Sequence, residues 1–503
     1  MTAGLPHYCV VGGGLSGLAT AYFLSLAKAA GTYRLTLLEG SSRFGGWIRS
    51  VHNPITGAVY DLGPHSARVT APVSNVIFRM ALGLNLQNSF LWMCRNQDVG
   101  RSYIYVNGKL TPVSPLALRT VEPFTRSSFG LIMRRLLSRP PSSLKTDISA
   151  DQFFRTRFDD EFADYYGSAM LRGIFAGDSR NLSAKACLPL MVKAEETGPN
   201  MFIGLLRNAV RSPQDFRMPE VLDKKLPAVG KLMPSRTFAW SLLGGMQTLT
   251  NALVDHLHRS SSLMSLNTNA PVRKIDFSDD HYRVLWGLTD HELKTDDYDA
   301  IFLCCPSYQT VDILKDALEP KMLARLTKNS LPWNSVVTVA IEVDKSALPP
   351  FRGFGHLVPR TEDPHVLGII YDSIGLPQLD GSRRTLRYTV LMLPHDEWFK
   401  MSESKRDAEI GDLAAKVLKK HLKLTNLRIV NRRVDFLHDC IPQYPPGHLD
   451  NICSLRSEIQ ASLKKHHSSG GLHLVGFSYD GVGLGDVVRS SLKAVATELN
   501  LKV

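Results

Sequence analysis

The chain has 503 residues, which is more than one hydrophobic core supports, so we expect two or three lobes. Apolar residues make up 44% and charged residues 21% of the sequence, and this composition excludes a largely disordered chain. The formal net charge of +12 suits an anionic membrane surface or an anionic substrate. Because the sequence carries no zinc-finger, RRM or helix-turn-helix pattern, no nucleic acid partner is expected.

Membrane spans, leader sequences and disulfides are not expected either. No stretch of about 18 uninterrupted apolar residues is present, which argues against a transmembrane helix. No leader rich in arginine and serine precedes the first predicted strand. The seven cysteines lack C-x-x-C spacing, so we expect reduced, mostly buried thiols and no metal site. The chain is therefore expected to be soluble or to lie on a membrane surface.

The first predicted elements are a strand, a glycine-rich turn, a helix and a second strand. His7–Val11 is a short apolar run, residues 15–30 are rich in alanine and leucine, and residues 33–39 are again strand-like. This β-turn-α-β order is the unit from which doubly wound sheets are built. It predicts an α/β fold with a Rossmann-type dinucleotide-binding domain.

The turn matches the pattern G-x-G-x-x-G at Gly12, Gly14 and Gly17, and Glu39 ends the second strand. Gly12 would make the tight turn, Gly14 would let a pyrophosphate approach the backbone, and Gly17 would allow close packing of the helix. Glu39 would accept hydrogen bonds from ribose hydroxyls and would repel the 2′-phosphate of NADP. A dinucleotide site is the prediction, and a glycine turn that binds nothing is the alternative.

The residues after Glu39 favour FAD over NAD. An R-x-G-G sequence at Arg43, Gly45 and Gly46 is not needed for NAD. Arg43 would neutralise the pyrophosphate, and the two glycines would supply N–H groups and clearance for an elongated cofactor. Near the C-terminus, the glycine-rich segment 476–486 precedes the last predicted helix, whose N-terminus would stabilise an anionic reduced flavin. Non-covalent FAD is the predicted cofactor.

Residues 75–230 are biased towards helix and are interrupted by prolines, and strands return beyond residue 234. Within this region, the sequence I-M-R-R-L-L at 132–137 is flanked by Phe124, Arg126, Phe129 and Arg139. Such a mixture of aromatic, apolar and basic residues predicts either a membrane-interface segment or a surface helix with a solvated basic face.

The second half of the chain predicts two further groups of strands. Strands at 272–277, 282–288 and 301–305 are expected to form a meander against the first sheet. A second, largely antiparallel sheet is predicted from strands at 336–343, 356–358, 367–370 and 385–393. A helix at 407–422, a strand at 472–475 and a helix at 487–499 complete the prediction.

These motifs resemble those of the protoporphyrinogen oxidase family, in its mitochondrial form, within the flavin amine oxidase superfamily. The resemblance covers nearly the whole chain. The sequences that carry it are R-F-G-G-W-I-R-S at 43–50, D-L-G-P at 61–64, R-G-I-F-A-G-D-S at 172–179, G-F-G-H-L-V-P at 353–359, I-P-Q-Y at 441–444 and S-Y-D-G-V at 478–482.

The resemblance implies an enzyme of haem biosynthesis that oxidises protoporphyrinogen IX to protoporphyrin IX, with O2 as electron acceptor and H2O2 as product. It implies a homodimer bound peripherally to the mitochondrial inner membrane, where a ferrochelatase takes the product. It also implies three domains: an FAD-binding domain of residues 1–75, 232–308 and 436–503, a helical membrane-binding domain of 76–231, and a mixed-sheet substrate-binding domain of 309–435.

The resemblance also assigns site residues position by position. Phe354 and Leu357 would sandwich the tetrapyrrole, and the backbone at Gly173 would approach a pyrrole N–H. Leu391 or Met392 would line the opposite wall. The implied FAD contacts are Gly12, Gly13, Gly14, Leu15, Ser16, Gly17, Glu39, Gly40, Arg43, Gly46, Trp47, Gly63, Pro64, Val272, Val482, Gly483 and Leu484.

One position departs from the family pattern. The family places arginine directly after L-G-P, where it pairs with a substrate propionate, whereas this chain has His65. Histidine carries a weaker and pH-dependent charge near neutrality. Either Arg68 or Arg101 takes the propionate, or the pocket is adapted to His65, and the sequence leaves these alternatives open. No acid–base pair emerges from the sequence, so the chemistry is expected to be mainly the cofactor's.

Two rival functions remain at this point. One is a flavin amine oxidase acting on amines, but the chain is strongly basic, and neither Cys440 nor Cys453 has the S-G-G-C setting used for covalent FAD. The other is a flavin-fold scaffold at the membrane that performs no turnover. Only the substitution at His65 favours that interpretation.

Overall fold

The computed structural model describes residues 4–69, 73–95, 99, 101–113, 120–137, 146–210, 218–230, 232–277, 281–345, 353–381, 385–463 and 471–502. Its strands are β1 (His7–Val11), β2 (Arg34–Leu38), β3 (Ser50–His52), β4 (Val59–Asp61), β5 (Ala67–Arg68), β6 (Phe90–Cys94), β7 (Ser102–Val106), β8 (Lys109–Val113), β9 (Thr237–Leu242), β10 (Met264–Asn267), β11 (Val272–Phe277), β12 (Tyr282–Trp286), β13 (Lys294–Tyr298), β14 (Ala300–Leu303), β15 (Trp333–Asp344), β16 (Gly355–Leu357), β17 (Val366–Ile370), β18 (Thr385–Met392), β19 (Ile429–Pro442) and β20 (Leu472–Leu474).

The described part of the chain also contains sixteen α-helices. They are α1 (Leu15–Ala27), α2 (Val73–Gly83), α3 (Ser128–Leu137), α4 (Ala150–Arg157), α5 (Ser168–Phe175), α6 (Ala184–Cys187), α7 (Pro189–Thr197), α8 (Met201–Val210), α9 (Glu220–Lys225), α10 (Gln247–Ser260), α11 (Ser307–Leu314), α12 (Pro320–Lys328), α13 (Asp372–Gly375), α14 (Glu403–Leu422), α15 (His448–Leu463) and α16 (Leu484–Glu498). Within the described ranges, none is both long and apolar enough to cross a membrane.

A five-stranded parallel sheet, in the order β10-β2-β1-β14-β20, forms one half of the molecule. All four residues of β14 are buried, as expected for a parallel strand covered on both faces. Helices α1, α2, α10 and α16 cover one face, and the antiparallel strands β11, β12 and β13 cover the other together with α11 and α15. The predicted Rossmann-type β-turn-α-β unit is confirmed, with β1 at its predicted bounds.

A seven-stranded sheet, in the order β19-β15-β18-β17-β16-β7-β8, forms the other half. Its pairs are antiparallel except for β16 with β7, so the predicted second sheet is confirmed. Helix α14 packs Ile410, Ala414 and Leu418 against one face. The opposite face, with Val336 and Leu391, is turned towards a large cavity.

The structure corrects three details of the predicted organisation. The interval 76–231 is not uniformly helical, because it contains β6 and also β7 and β8, which extend the seven-stranded sheet. The predicted third strand of the meander, at 301–305, is instead β14 of the parallel sheet, and β13 completes the meander. The long edge strand β19 was not predicted, because charged residues such as Arg432, Arg433 and Asp435 interrupt its apolar pattern.

Candidate active site

A cavity of about 2420 Å³ lies between the two sheets. Val11 and Leu38, the last residues of β1 and β2, line one end, so this end lies at the carboxyl edge of the parallel sheet, where α/β folds bind their ligands. Ordinary small-molecule pockets measure roughly 300–1,000 Å³. The cavity therefore has room for a dinucleotide and a second large ligand.

The predicted glycine turn has the geometry of a dinucleotide loop. Gly12 has φ +101°, and its N–H donates to the carbonyl of Leu38 at 2.8 Å. A Cβ on Gly14, which caps α1, would meet only the Cα of Gly46, at 3.8 Å, so this backbone is open to a ligand. A Cβ on Gly17 would lie 1.9 Å from the carbonyl oxygen of Gly12, which explains the third glycine of the pattern. Gly12, Gly14, Leu15 and Ser16 line the cavity.

Glu39 is held rigidly beside this turn. Its Oε2 accepts a hydrogen bond of 2.6 Å from the N–H of Gly13, and its Oε1 accepts one of 2.8 Å from the N–H of Ser41. The carboxylate remains on the cavity wall, next to Gly40 and Val272. Since each carboxylate oxygen accepts more than one hydrogen bond, Glu39 can still bind ribose hydroxyls.

Arg43 organises the R-x-G-G turn in addition to lining the cavity. Its guanidinium donates to the carbonyl oxygens of Phe44, Gly46 and Ile48. The N–H of Gly45 donates to the carbonyl of Gly13 at 2.9 Å and is therefore used within the protein. Arg43 thus offers a bound pyrophosphate mainly its positive charge, because several of its N–H groups already have partners.

The last helix completes this half of the cavity. Gly483 caps α16, and Val482, Gly483 and Leu484 lie on the cavity wall. The positive end of the α16 dipole therefore faces the cavity. Next to this segment, Trp47 stacks with Trp333 at 6.2 Å between ring centroids, and both rings contact Phe477.

The L-G-P segment approaches Trp47 closely. A Cβ on Gly63 would lie 2.0 Å from the carbonyl oxygen of Trp47, so the turn requires glycine there. Gly63 and Pro64 both line the cavity.

The seven-stranded sheet supplies an apolar wall to the second half of the cavity. Phe354, Leu357 and Leu391 line it. The N–H of Phe354 donates to the carbonyl of Arg101 at 3.2 Å, and its carbonyl accepts from the N–H of Tyr371 at 3.0 Å. Gly173 of α5 faces this wall so closely that a Cβ would lie 2.4 Å from Leu357 Cδ2. The predicted substrate residues of α5, β16 and β18 therefore come together around one apolar slot.

The chain matches the family model of flavin-containing amine oxidoreductases over residues 15–497. It is also 32% identical to the protoporphyrinogen oxidase of Macaca fascicularis over 510 residues, which cover 97% of this chain and 98% of the relative. The chain belongs to the flavin-containing amine oxidoreductase family, in its protoporphyrinogen oxidase branch.

Two more distant relatives have lower sequence identity and match nearly the whole chain. A coproporphyrinogen III oxidase from Bacillus subtilis is 24% identical, with 99% of each chain covered. A solved structure from Exiguobacterium, assigned as a protoporphyrinogen oxidase, superposes with a TM-score of 0.75 at 22% identity and covers 98% of each chain. This superposition shows the shared flavin amine oxidase-like fold.

The chain is an FAD-dependent oxidoreductase, and the geometry fits FAD. The open backbone at Gly14 would receive the pyrophosphate, Glu39 would bind the ribose, and the N-terminus of α16 would lie near the flavin. When bound, FAD supplies an acceptor for two electrons at a time. The protein's own residues would orient the cofactor and the second ligand within the cavity.

Four of the residues predicted from the family resemblance are not among the cavity-lining residues. Gly13 and Gly17 are buried within the turn and do not reach the cavity. Met392 and Arg101 lie elsewhere. Met392 is fully buried in the core on the α14 side of the sheet, because successive residues of a strand face opposite sides, and only Leu391 reaches the cavity. Arg101 is exposed and is not among the cavity-lining residues; its backbone, not its side chain, contacts Phe354. Both assignments are corrected. Arg68 is exposed and does line the cavity.

His65, the residue that departs from the family pattern, has a partner that the sequence did not reveal. Its Nδ1 donates to Asp372 Oδ1 at 2.8 Å. Burial opposes the charge of His65, but the nearby carboxylates of Asp372 and Asp61 outweigh it and raise its pKa. Asp372 lies 307 positions away along the chain, so no local pattern could have identified it.

A pair of histidines lies behind the apolar wall. His356, between Phe354 and Leu357, is hydrogen-bonded through Nδ1 to Tyr371 Oη at 2.8 Å and through Nε2 to His421 Nδ1 at 2.9 Å. Burial lowers the pKa of His356, and it lowers that of His421 to about 4, so both rings are neutral near neutral pH. They fix β16, which contains Leu357 and directly follows Phe354.

Proposed function

We propose that the chain oxidises protoporphyrinogen IX to protoporphyrin IX, with O2 as the final electron acceptor and H2O2 as the second product. The observation that carries this proposal is that the apolar slot at Phe354, Leu357 and Leu391 shares one cavity with the dinucleotide loop. A flat, largely apolar tetrapyrrole suits such a slot, since burial of apolar surface drives its binding. The relative from Macaca fascicularis, a protoporphyrinogen oxidase, supports the same substrate.

An anaerobic experiment tests this proposal. The purified, flavin-loaded protein is mixed in separate runs with protoporphyrinogen IX, coproporphyrinogen III and putrescine, and the visible flavin absorbance band is followed. We expect the fastest bleaching with protoporphyrinogen IX, followed by porphyrin fluorescence and H2O2 when air is admitted. A preference for coproporphyrinogen III or putrescine would assign a different substrate. A flavin that no compound bleaches would favour the scaffold interpretation.

We also propose that the chain binds peripherally to the mitochondrial inner membrane through its helical lobe, which we define as helices α3 to α9. Phe129, Met133 and Leu136 follow an i, i+4, i+7 spacing on α3 and are 43%, 39% and 36% exposed. Leu190 on α7 and Leu206 on α8 are 63% and 68% exposed. Apolar side chains at a lipid interface, together with a positively charged chain, favour an anionic membrane. Arg139, part of the predicted segment, lies outside the described residues.

Vesicle flotation and cell fractionation test this location. The flavin-loaded protein is floated with cardiolipin-containing vesicles, and the variants Phe129→Ser and Leu206→Ser are expected to float less. The matched control is Ile55→Ser, since Ile55 is 91% exposed but lies on the β3–β4 turn. Equal flotation of all variants would contradict a docking role for the helical lobe, and fractionation outside mitochondria would contradict the proposed location.

The partners implied by the family resemblance are proposals of the same kind. We propose a homodimer, which light scattering of the flavin-loaded protein would detect as twice the chain's mass. We also propose a ferrochelatase as the protein that takes the product. Co-sedimentation of the two on vesicles is the corresponding measurement.

A further inference from the structure

Arg172 is a buried cation on α5, the helix that forms one side of the apolar slot. The residue is 4% exposed and lies next to Gly173. Its guanidinium binds backbone carbonyl oxygens, and it has no carboxylate within ion-pair distance in the described part of the chain. Burying a charge without an ion pair is costly, which indicates a specific task for this side chain.

The guanidinium holds one loop of the seven-stranded sheet. It donates through Nη1 to the carbonyl oxygens of Val358 at 3.1 Å and Asp363 at 2.8 Å. Through Nη2 it donates to the carbonyl oxygen of Pro364 at 2.6 Å. All three residues belong to the loop that connects β16 to β17. Because the guanidinium is planar and its N–H groups point in fixed directions, these bonds fix the loop relative to α5.

The loop also has hydrogen bonds of its own. Oδ1 of Asp363 accepts from the N–H groups of His365 at 2.8 Å and Val366 at 2.9 Å. The N–H of Val358 donates to the carbonyl of Leu367 at 3.0 Å. Since both ends of the loop are bound in this way, a position set by Arg172 is passed on to β16.

The bonds of Arg172 lie beside the place where α5 meets the wall of the slot. Leu357, a wall residue, directly precedes the bound Val358. Gly173 directly follows Arg172, and a Cβ on it would lie 2.4 Å from Leu357 Cδ2. No further atom fits between helix and strand at this point, so the slot is closed on the side of α5.

We infer that Arg172 is a positioning residue that limits the size of the substituents that the slot accepts on the side of α5. This inference rests on the proposed function. Protoporphyrinogen IX carries two propionates and two vinyl groups, whereas coproporphyrinogen III carries four propionates. A slot that is closed at Gly173 and Leu357 favours the smaller vinyl groups there. A loop released from α5 would leave room for a propionate.

Two variants at this position test the inference. Steady-state kcat/KM for protoporphyrinogen IX and for coproporphyrinogen III is measured with flavin-loaded Arg172→Lys and Arg172→Gln. Lysine keeps the charge without the planar fork, and glutamine keeps one donor group without the charge. We expect both variants to lower the ratio of the two kcat/KM values by ~10-fold, the low end of what pocket contacts contribute to discrimination. The change should come from a lower KM for coproporphyrinogen III.

Arg360→Gln is the matched control. Arg360 belongs to the same loop and ties it to the carboxylates of Asp164, Asp151 and Asp178. It is not among the described residues that line the cavity. The control should lower thermal stability, as the Arg172 variants should, and yet keep the wild-type substrate ratio. A structural role alone would give the same ratio in all variants.

Chemical rescue provides a readout that does not depend on comparing variants. Arg172→Ala leaves a space that matches a guanidinium ion. Guanidinium at a non-denaturing concentration should restore the wild-type substrate ratio in this variant, and sodium chloride at equal ionic strength should not. Binding of protoporphyrin IX, of its dimethyl ester and of coproporphyrin III is measured by fluorescence quenching, with flavin content recorded. The Arg172 variants should bind coproporphyrin III more tightly than the wild type does.

Specific results would overturn the inference. If Arg172→Lys keeps the wild-type ratio, position 172 needs only a cation. If Arg172→Gln weakens binding of protoporphyrin IX but not of the dimethyl ester, Arg172 binds a carboxylate. If Arg360→Gln changes the ratio equally, any loosening of the loop suffices. Each of these results leaves the proposed function intact. A wild-type protein that prefers coproporphyrinogen III would instead overturn the proposed function itself.

Discussion

The carbonyl oxygen of Gly12 lies 1.9 Å from the position that a Cβ atom on Gly17 would occupy. Three residues earlier, a Cβ on Gly14 would meet only one atom, the Cα of Gly46, at 3.8 Å. The two positions thus require glycine for different reasons. Gly17 is required by the packing of α1 on the sheet, whereas Gly14 is required by the ligand that the turn binds.

The first prediction follows from this difference. Gly14→Val should fold and yet bind no FAD, because the added side chain fills the space of the pyrophosphate. Gly17→Ala should instead lose stability, because α1 must move away from Gly12. Thermal unfolding of the flavin-free proteins and the absorbance of bound flavin distinguish the two effects. A yellow, flavin-replete Gly14→Val protein would contradict the assignment of the dinucleotide loop.

The second prediction concerns Phe354. Phe354→Ala should raise KM or lower kcat for protoporphyrinogen IX, because it removes one wall of the apolar slot. Flavin content should remain that of the wild type, since Phe354 belongs to the seven-stranded sheet side of the cavity. Steady-state kinetics and the flavin-to-protein absorbance ratio check both parts. Loss of flavin in this variant would mean that the residue contacts the cofactor.

The third prediction is a coupling between Gly173 and Leu357. A Cβ at position 173 would lie 2.4 Å from Leu357 Cδ2, the far end of a flexible side chain, so the fold should tolerate Gly173→Ala while Leu357 moves into the slot. We expect a higher KM in Gly173→Ala and partial recovery when Leu357→Ala is added. A double-mutant cycle on kcat/KM measures this coupling. Additive effects would show that the two residues act independently.

The fourth prediction uses the two neighbours at the end of β18. Met392→Ala should lower the free energy of unfolding by ~2–5 kcal/mol, the usual cost of truncating a buried methionine. Leu391→Ala should cost less stability and alter the kinetics instead, because Leu391 is on the cavity side. Urea unfolding and steady-state kinetics of both variants provide the test. The reverse pattern would place Met392, not Leu391, at the substrate.

The fifth prediction is a pH dependence of stability. The pKa of His65 is raised, so its contribution is complete below the unfolded value of 6.5 and is lost as the pH rises through the folded value. The pKa of Asp372 is lowered, chiefly by His65 against the effect of burial. Its contribution is therefore complete above 3.8 and is lost as the pH falls through the folded value. Asp372→Asn should therefore lower the free energy of unfolding most at pH values between 3.8 and 6.5.

Urea unfolding at about pH 5 and about pH 9 measures this dependence. The matched control is Asp297→Asn, which breaks an exposed ion pair with Arg283. Exposed pairs contribute little to stability, so this control should differ little from the wild type at either pH. A destabilisation by Asp372→Asn that is the same at both pH values would show that the pair is not charged in the folded protein.

The sequence predicted those parts of the fold and site whose causes are local. The turn from Gly12 to Gly17 and the acid Glu39 belong to one β-turn-α-β unit, and apolar runs mark the strands on either side of it. Asp372 could not be predicted, because its relation to His65 depends on how distant strands pack. The choice between Leu391 and Met392 was open to prediction from alternation along β18. Met392 continues the apolar series Leu386, Tyr388 and Val390 that packs in the core, whereas Leu391 is on the face of Thr385, Arg387 and Thr389.

The edge strand β20 pairs with β14 in the same parallel sheet as β1, and the start of α16 borders the same cavity half as Gly12. Segments that lie far apart in the sequence therefore form one flavin half together. Neither segment can bind FAD by itself, so flavin binding reports that both have folded against each other.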